Sequence, residues 1–436
     1  MQFTRRSAVI AAILAGALAA TTAACSDDKE GDGGTKASEI KLTVDSFGTV
    51  GFLDLLKQYE TSHPGVKIEH RNEKEHEKVY VPKLLQYLET GSGAGDIVMI
   101  EEGIMPRMRS LPDKFLDLNQ YGAAEVKGNF IPWKWTAGSS ADGSKQIALG
   151  TDVGGMGLCY RTDLFAKAGL PTDRAEVSKL LPDWNAFIAK GKEFQSKVKG
   201  TKWVDGPTSL FNTRLAQEAG AGTSFTYFDA SQAYIADKNP AVKTAFDFVA
   251  QLHADDLTAK LKTFDKPWEA AFKRDTFATM ACPSWMLGVI KEKAGDAYKG
   301  KWDVAVPPGG GGNWGGSFLA VPAQSKHPKE AVELLKFLTT PEALVAQFKT
   351  AGGLPSSQQA LENPDVKGFV NDYFNNAPVG EIFGATALNL KPVSFGAKNN
   401  EVRTAFEDVL VALDQGKLSA GDAWTKALED GRKKAE

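Results

Sequence analysis

From residue 41 to residue 100 the sequence alternates strand and helix patterns, and this alternation restricts the fold more than any other feature. Residues 41–47 (KLTVDSF) place apolar side chains at every second position, as a half-buried strand does. Gly48 and Gly51 interrupt the pattern. Phe52, Leu53, Leu56 and Tyr59 then recur at helical spacing until Pro64-Gly65. Val66-Lys67-Ile68 reads as a second strand, and Val79, Leu84, Leu85 and Leu88 as a second helix. Residues 97–100, after the glycine-rich turn 91–95, read as a buried strand. Strands joined by helices run parallel, so the expected fold class is α/β. Ligands of such sheets sit beyond the carboxyl ends of the strands. Those ends carry Asp45, Ser46 and Phe47, and Glu101 and Glu102.

The chain has 436 residues, room for about two or three domains. Lys and Arg number 51 against 54 Asp and Glu, a net charge of −3, so there is no basic excess to hold nucleic acid. With 5 His and 3 Cys the chain is too poor in metal ligands for a multi-metal protein, and no solenoid-length repeat occurs. Residues 147–152 lead into Gly154-Gly155 and a strand-like run to Tyr160, which reads as a hinge opening a second lobe. Helices are expected at 163–168, 184–198, 212–219 and 242–253, and a strand at 277–282. A glycine-rich loop at 307–316 (PPGGGGNWGG) precedes a strand at 318–321. Helices at 329–338, on to 349, and at 400–413 complete the pattern.

Nine tryptophans and the acidic strand ends suit a ligand with an apolar face and a hydroxylated rim, such as a sugar. Aromatic rings cover the face, and carboxylates take the hydroxyls. Trp285 follows a strand end, and Trp314 lies in the glycine-rich loop, where the backbone can approach a ligand closely. Trp133 and Trp135 flank Lys134 and project together if that segment is extended. Asp152 sits in the crossover 150–154, and Asn212 and Glu381 are further candidates. Trp184, Trp203, Trp268, Trp302 and Trp424 read as core, Trp268 with an option on the cleft. The run 70–77 (HRNEKEHE) has metal-ligand residue types without the spacing that puts two His on one helical face, and reads as a solvated loop. No GxSxG elbow or phosphate-binding Lys-Ser/Thr loop is present. Glu101, Glu102 and Asp152 leave glycoside hydrolysis open as a competing reading.

Four segments in order carry a family resemblance: 159–173 (CYRTDLFAKAGLPTD) with Asp183-Trp184, 277–288 (FATMACPSWMLG), 315–343 (GGSFLAVPAQSKHPKEAVELLKFLTTPEA) and 352–356 (GGLPS). Their order resembles that of the carbohydrate-type extracellular solute-binding proteins of bacterial ABC importers, over most of the chain. Within that family, Cys159, Cys282 and the Trp-Lys-Trp segment look most like actinobacterial oligosaccharide binders of the cellobiose type. The resemblance implies a two-lobe periplasmic-binding-protein-like fold, with discontinuous lobes joined by a hinge and a sugar clamped between them. The lobes would comprise residues 40–150 with 306–350, and 151–305 with 351–436. It implies a receptor, not an enzyme, with no cofactor, an ABC permease as partner, and a monomeric state. Asp45, Phe47, Glu101, Glu102, Trp133, Asp152, Trp285 and Trp314 are the expected ligand-binding set. A binder of another solute (peptide, polyamine or iron) is the main alternative.

The N-terminus reads as an address. Arg5-Arg6, an apolar run at 8–20 and small residues before Cys25 make a secretory signal over residues 1–24. A Cys directly after such a segment resembles the bacterial lipobox, although Thr22 stands where that motif has Leu. Residues 25–39 would then be a lipidated Cys and a polar tether at the outer face of the cytoplasmic membrane. The lipid would be the only membrane contact. Export would also place Cys159 and Cys282 in an oxidising space, where they form a disulfide or persist as two buried thiols. Replacing Cys25 with serine is expected to release the protein into the medium. Retention of the variant in the membrane fraction would refute the anchor.

Overall fold

In the computed structural model the first strand forms where the alternation places it, and the rest of one sheet assembles around it. The structure describes residues 39–388 and 391–436. The expected signal segment, the lipidated Cys25 and the tether up to residue 38 lie outside the described residues. In chain order the strands are β1 (Ile40–Phe47), β2 (Val66–Glu73), β3 (Ile97–Glu101), β4 (Ala148–Gly150), β5 (Asp152–Val153), β6 (Met156–Arg161), β7 (Lys202–Val204), β8 (Phe277–Pro283), β9 (Trp302–Ala305), β10 (Ser317–Ala320) and β11 (Leu354–Pro355).

The first sheet has the order β2-β1-β3-β10-β4. β1 lies parallel to β2 and β3, with the helices Leu53–Ser62 and Val81–Thr90 as the connecting elements, and β10 returns antiparallel between β3 and β4. β3 is buried on both faces, which is why it reads as an unbroken apolar run. Ile97 and Met99 join one core with Leu335 and Leu338 of the helix Pro328–Leu338, while Val98 and Ile100 join another with Leu84 and Leu88. β2 runs on to Glu73 instead of ending at Ile68, so the first half of the polar run 70–77 is strand and not loop. Its polar side chains are matched across to β1: the Ser46 hydroxyl donates to Asn72 (2.9 Å) and bonds the His70 ring (2.7 Å). β2 is an edge strand, where polar residues are expected.

The second sheet, β7-β8-β6-β9, repeats the two-faced logic. Leu158, Tyr160 and Ala281 pack into one core, with Phe406 and Leu410 of the helix Asn399–Asp414. Cys159, Met280 and Cys282 pack into the other. Trp203, Trp268 and Trp302 are fully buried here, and Trp184 nearly so, as expected of core residues. The Trp268 indole N–H donates to Asp205 (2.8 Å) rather than facing a cleft. Cys159 and Cys282 are bonded across the neighbouring strands β6 and β8, closing a sequence separation of 123 residues.

The chain passes between the two sheets three times: at β4–β5–β6, at the glycine-rich segment between β9 and β10, and around β11. β5 and β11 pair antiparallel with each other and with neither main sheet, forming a two-stranded hinge element. Each main sheet with the helices packed on it is one lobe. At the third passage Thr340 caps the helix Pro341–Ala351 by accepting the Ala343 N–H (3.2 Å), which explains the Thr-Pro punctuation after Leu338. That helix packs Leu344, Val345 and Phe348 into the core holding Cys282 and Met286. The segment 133–135 is not extended. It lies in the helix Pro132–Ala137, so its two tryptophans diverge: Trp135 enters the first lobe's core, and Trp133 stays half-buried at the surface between lobes.

A loop of this length favours the disulfide strongly, because the bond removes conformations from the unfolded chain. Replacing Cys159 and Cys282 together with alanine is expected to lower unfolding free energy by roughly 3–5 kcal/mol in denaturant titrations. An unchanged midpoint and slope would show that the bond contributes nothing.

Candidate functional site

The carboxyl end of β3 delivers Glu101 and Glu102 to the space between the lobes. Glu102 is buried, and both of its oxygens are held. Lys134 Nζ lies 2.7 Å from Oε2, and the Asn313 side-chain amide donates to Oε1. Lys134 itself is fully buried, with its ammonium 3.9 Å from the centre of the Phe318 ring. Burial pushes the Glu102 carboxyl up, and Lys134 pulls it back. The Glu102 N–H also donates to Gly316 O (2.9 Å). Gly316 has φ +113, and a Cβ there would lie 2.6 Å from Asp152 O and 3.1 Å from Glu102 Oε2, so only glycine fits.

Beyond Glu102 a cavity of about 940 Å³ opens between the lobes. The first lobe contributes Glu102, Met105, Arg109 and Trp133 to its wall. The opposite wall includes Gln217, Glu381, Lys391 and Phe395, and Asn313 comes from the glycine-rich passage between β9 and β10. The Trp133 indole nitrogen is buried without a hydrogen-bond partner. Gln217 is fixed in place: its amide donates to Pro308 O and Gly310 O and accepts the Trp184 indole N–H (2.7 Å).

A smaller cavity of about 50 Å³ adjoins it, sharing Glu102, Ala216, Asn313 and Phe395, and adding Glu101, Asn212, Tyr227, Trp314 and Arg403. Glu101 Oε2 accepts the Gly103 N–H (2.7 Å). Burial pushes this carboxyl up to about 7, with Arg403 opposing the shift. Arg403, from the helix Asn399–Asp414, donates to Glu77 of the first lobe (2.8 Å) and to Asn400 (2.7 Å). Asn212 donates to Glu407 (2.7 Å). The Tyr227 hydroxyl and Arg403 Nε are buried without hydrogen-bond partners. Arg107–Glu401 (2.8 Å) and Lys78–Asp265 (3.6 Å) also join the lobes.

Trp285 follows β8 and donates its indole N–H to Trp314 O (3.1 Å). The two rings meet edge to face with centroids 5.8 Å apart. A Cβ on Gly315 would lie 3.4 Å from the Trp285 indole nitrogen and 3.7 Å from Glu101 Oε1, so these groups stand beside one another. Glu101, Glu102, Trp133 and Trp314 therefore line cavities, with Trp285 packed behind Trp314. The lesser candidates Asn212 and Glu381 also reach the walls.

Three expected residues are otherwise engaged. Asp45 is committed to Arg71 in a two-pronged pair (2.6 and 2.7 Å) and accepts the Gly95 N–H (2.7 Å), so it braces strand to loop. Phe47 packs on the rings of His76 (4.2 Å) and Tyr80 (5.2 Å). Burial pushes that imidazole down to about 4, which keeps it neutral near pH 7. Asp152 lies in the hinge strand β5, accepts the Thr151 hydroxyl (2.8 Å) and is pushed up by burial. None of the three is among the residues lining either cavity.

Comparison with known proteins agrees with this architecture. The family model described as bacterial extracellular solute-binding protein matches residues 54–373. A probable ABC transporter-binding protein of Deinococcus radiodurans is 26% identical over 369 residues, covering 76% of each chain. A solved structure of an extracellular solute-binding protein of family 1 is 41% identical with a TM-score of 0.81, and covers 91% of this chain and 100% of its own. An ABC transporter associated binding protein from Bifidobacterium animalis subsp. lactis, solved with β-1,6-galactobiose, has a TM-score of 0.75 at 22% identity. It covers 91% of this chain and 98% of its own.

Glu101 makes a prediction with a defined sign. Its carboxyl holds its proton more tightly in the folded state, at about 7 against an ordinary value of 4.5. The folded state therefore binds more protons between those values, and stability falls as pH rises through that window. The variant Glu101→Gln carries no such titration. Relative to it, the wild type is expected to lose about 1–3 kcal/mol between pH 4.5 and 7, read from denaturant unfolding at stepped pH. Parallel pH profiles would refute the assignment.

Proposed function

The chain belongs to the bacterial extracellular solute-binding proteins, and from that premise we propose that it is the receptor of an ABC importer that captures an oligosaccharide between its lobes. The observation that carries this reading is the cavity of about 940 Å³ walled by both lobes. Its lining joins the half-buried Trp133 ring, whose indole nitrogen has no partner, to the carboxylates Glu102 and Glu381 and the amides Gln217 and Asn313. Pyranose rings present an apolar C–H face and a rim of hydroxyls, and this lining offers a surface for each. Next door the Tyr227 hydroxyl has no hydrogen-bond partner, and Arg403 Nε has only the ion pair to Glu407 at 3.7 Å, so both offer further hydrogen bonds to a hydroxylated ligand. The β-1,6-galactobiose held by the Bifidobacterium protein supports the reading.

We take the lobes as expected from the sequence, 40–150 with 306–350 and 151–305 with 351–436, except that the helix Pro341–Ala351 packs into the second lobe's core, and we take the β5–β11 pair as the hinge between them. Ligand touches both walls only when the lobes are together, so binding stabilises the closed arrangement, which the permease reads. No bond in the ligand is broken, and no cofactor takes part. The protein works as a monomer outside the cytoplasmic membrane, held there by a lipid on Cys25. The wall sets the carboxylates Glu102 and Glu381 beside Arg109 and Lys391, a mixed lining that suits an uncharged, hydroxylated solute better than one of a single charge.

A saturating oligosaccharide is expected to raise the melting temperature by mass action. The variants Trp133→Ala and Trp285→Ala should each weaken saccharide binding by about 1–3 kcal/mol in calorimetry, the range for losing an aromatic anchor. Affinity unchanged by both, or release of monosaccharide from an aryl glycoside, would overturn the receptor reading.

A further inference from the structure

Phe264 combines two features that work against folding. The residue is 52% exposed, so a large apolar side chain is left half in solvent. Its backbone is in the left-handed region, φ +69, where a bulky side chain meets its own backbone and glycine is the natural occupant. Strain of this kind persists where the surroundings impose it, and it concentrates at ligand-contacting sites.

The surroundings of Phe264 hold it firmly. The next residue, Asp265, donates its N–H to Lys262 O (3.2 Å) and accepts the Glu269 N–H at the start of the helix Lys266–Ala271. The Lys262 ammonium is tied to Asp408 (2.6 Å), and Asp265 faces Lys78 of the other lobe (3.6 Å). The ring rests edge-on against buried Trp268, with centroids 5.4 Å apart. Its plane lies within 21° of the Trp285 ring at 6.3 Å, and the Trp314 ring is 6.5 Å away. Phe264 lines neither cavity, but its exposed ring, near-parallel to that of Trp285, continues the apolar surface of Trp285 beside the Lys78–Asp265 contact between the lobes.

We propose that Phe264 is a specificity-determining residue that stacks on the C–H face of a sugar ring lying beyond Trp285. The proposal rests on the oligosaccharide reading above. It adds an aromatic contact with a ring further along the ligand, so Phe264 should discriminate by chain length.

The test uses calorimetry with a panel of glucose, galactose and mannose mono- to tetrasaccharides, on the wild type and three variants. Phe264→Gly removes the ring and relieves the backbone, Phe264→Leu keeps apolar bulk without a ring, and Phe264→Trp keeps a ring. For the tightest-binding oligosaccharide, the Gly and Leu variants are expected to bind about five- to tenfold more weakly, and the Trp variant within about twofold of wild type. The Gly variant should melt no lower than wild type. Equal affinity in all three variants, or a loss in the Gly variant accompanied by a lower melting temperature, would overturn the role of Phe264 while leaving the receptor reading intact. A wild type that binds no member of the panel would overturn the receptor reading and this proposal with it.

Discussion

A fully buried ammonium can exist only beside its counter-charge, and in this protein that constraint sets where the lobes join. Lys134 is at zero exposure, with Glu102 2.7 Å from its Nζ. Removing either partner would leave a buried charge unpaired, a loss of about 3–5 kcal/mol in comparable cases. The pair lies where the passages between the lobes converge. A Cβ on Gly150, at the end of β4, would lie 2.7 Å from the Lys134 side chain, and one on Gly316 would lie 3.0 Å from its Nζ. Ser356, just after β11, closes the arrangement by donating to Gly150 O (2.7 Å). The glycines are therefore required by the lysine's proximity, and the lysine by the carboxylate that faces the cavity.

Away from this fixed point the lobes meet through weaker contacts. Glu77–Arg403, Lys78–Asp265 and Arg107–Glu401 join them, mostly through partly exposed side chains. Pairs of that kind contribute about 0–1 kcal/mol each. A rigid junction at the hinge with a softly held mouth is the mechanical condition for a receptor that opens and closes. The free energy separating open from closed is then small enough for a ligand to tip.

The pattern of the sequence carried the scaffold further than the site. β1, β3, β8 and the helices Pro328–Leu338 and Asn399–Asp414 fall close to their expected bounds, because each buries a periodic set of apolar side chains that a local reading detects. β2 was cut short because polar residues on an edge strand resemble a loop. Glu101, Glu102, Trp133 and Trp314, which line the cavities, stand out in the sequence by their places at a strand end, beside Lys134 and in a glycine-rich crossover. Asp45 has the same chemistry at a neighbouring strand end, yet Arg71 claims it. Only the fold decides which of two similar carboxylates reaches the cavity. Lys134, Tyr227 and Arg403 left no signal for the converse reason. A buried charge or hydroxyl is written with the same letter as a solvated one, and its partners lie far away in sequence. Asn313 was closer to hand, since it directly precedes Trp314 among the glycines.

The two lobes also divide the chemistry of the smaller cavity. The carboxylates Glu101 and Glu102 come from the first lobe, at the end of β3, while Asn212, Tyr227, Phe395 and Arg403 belong to the second, with Trp314 carried on the passage between them. A ligand too small to reach across gains from one wall and has little reason to favour the closed state. A ligand that spans the cleft gains from both walls at once, and only there. An equilibrium shifts by no more than a ligand's difference in affinity for the two states. Dividing the lining across the hinge therefore turns recognition of a ligand that spans both walls into a preference for the closed form, without any dedicated switch.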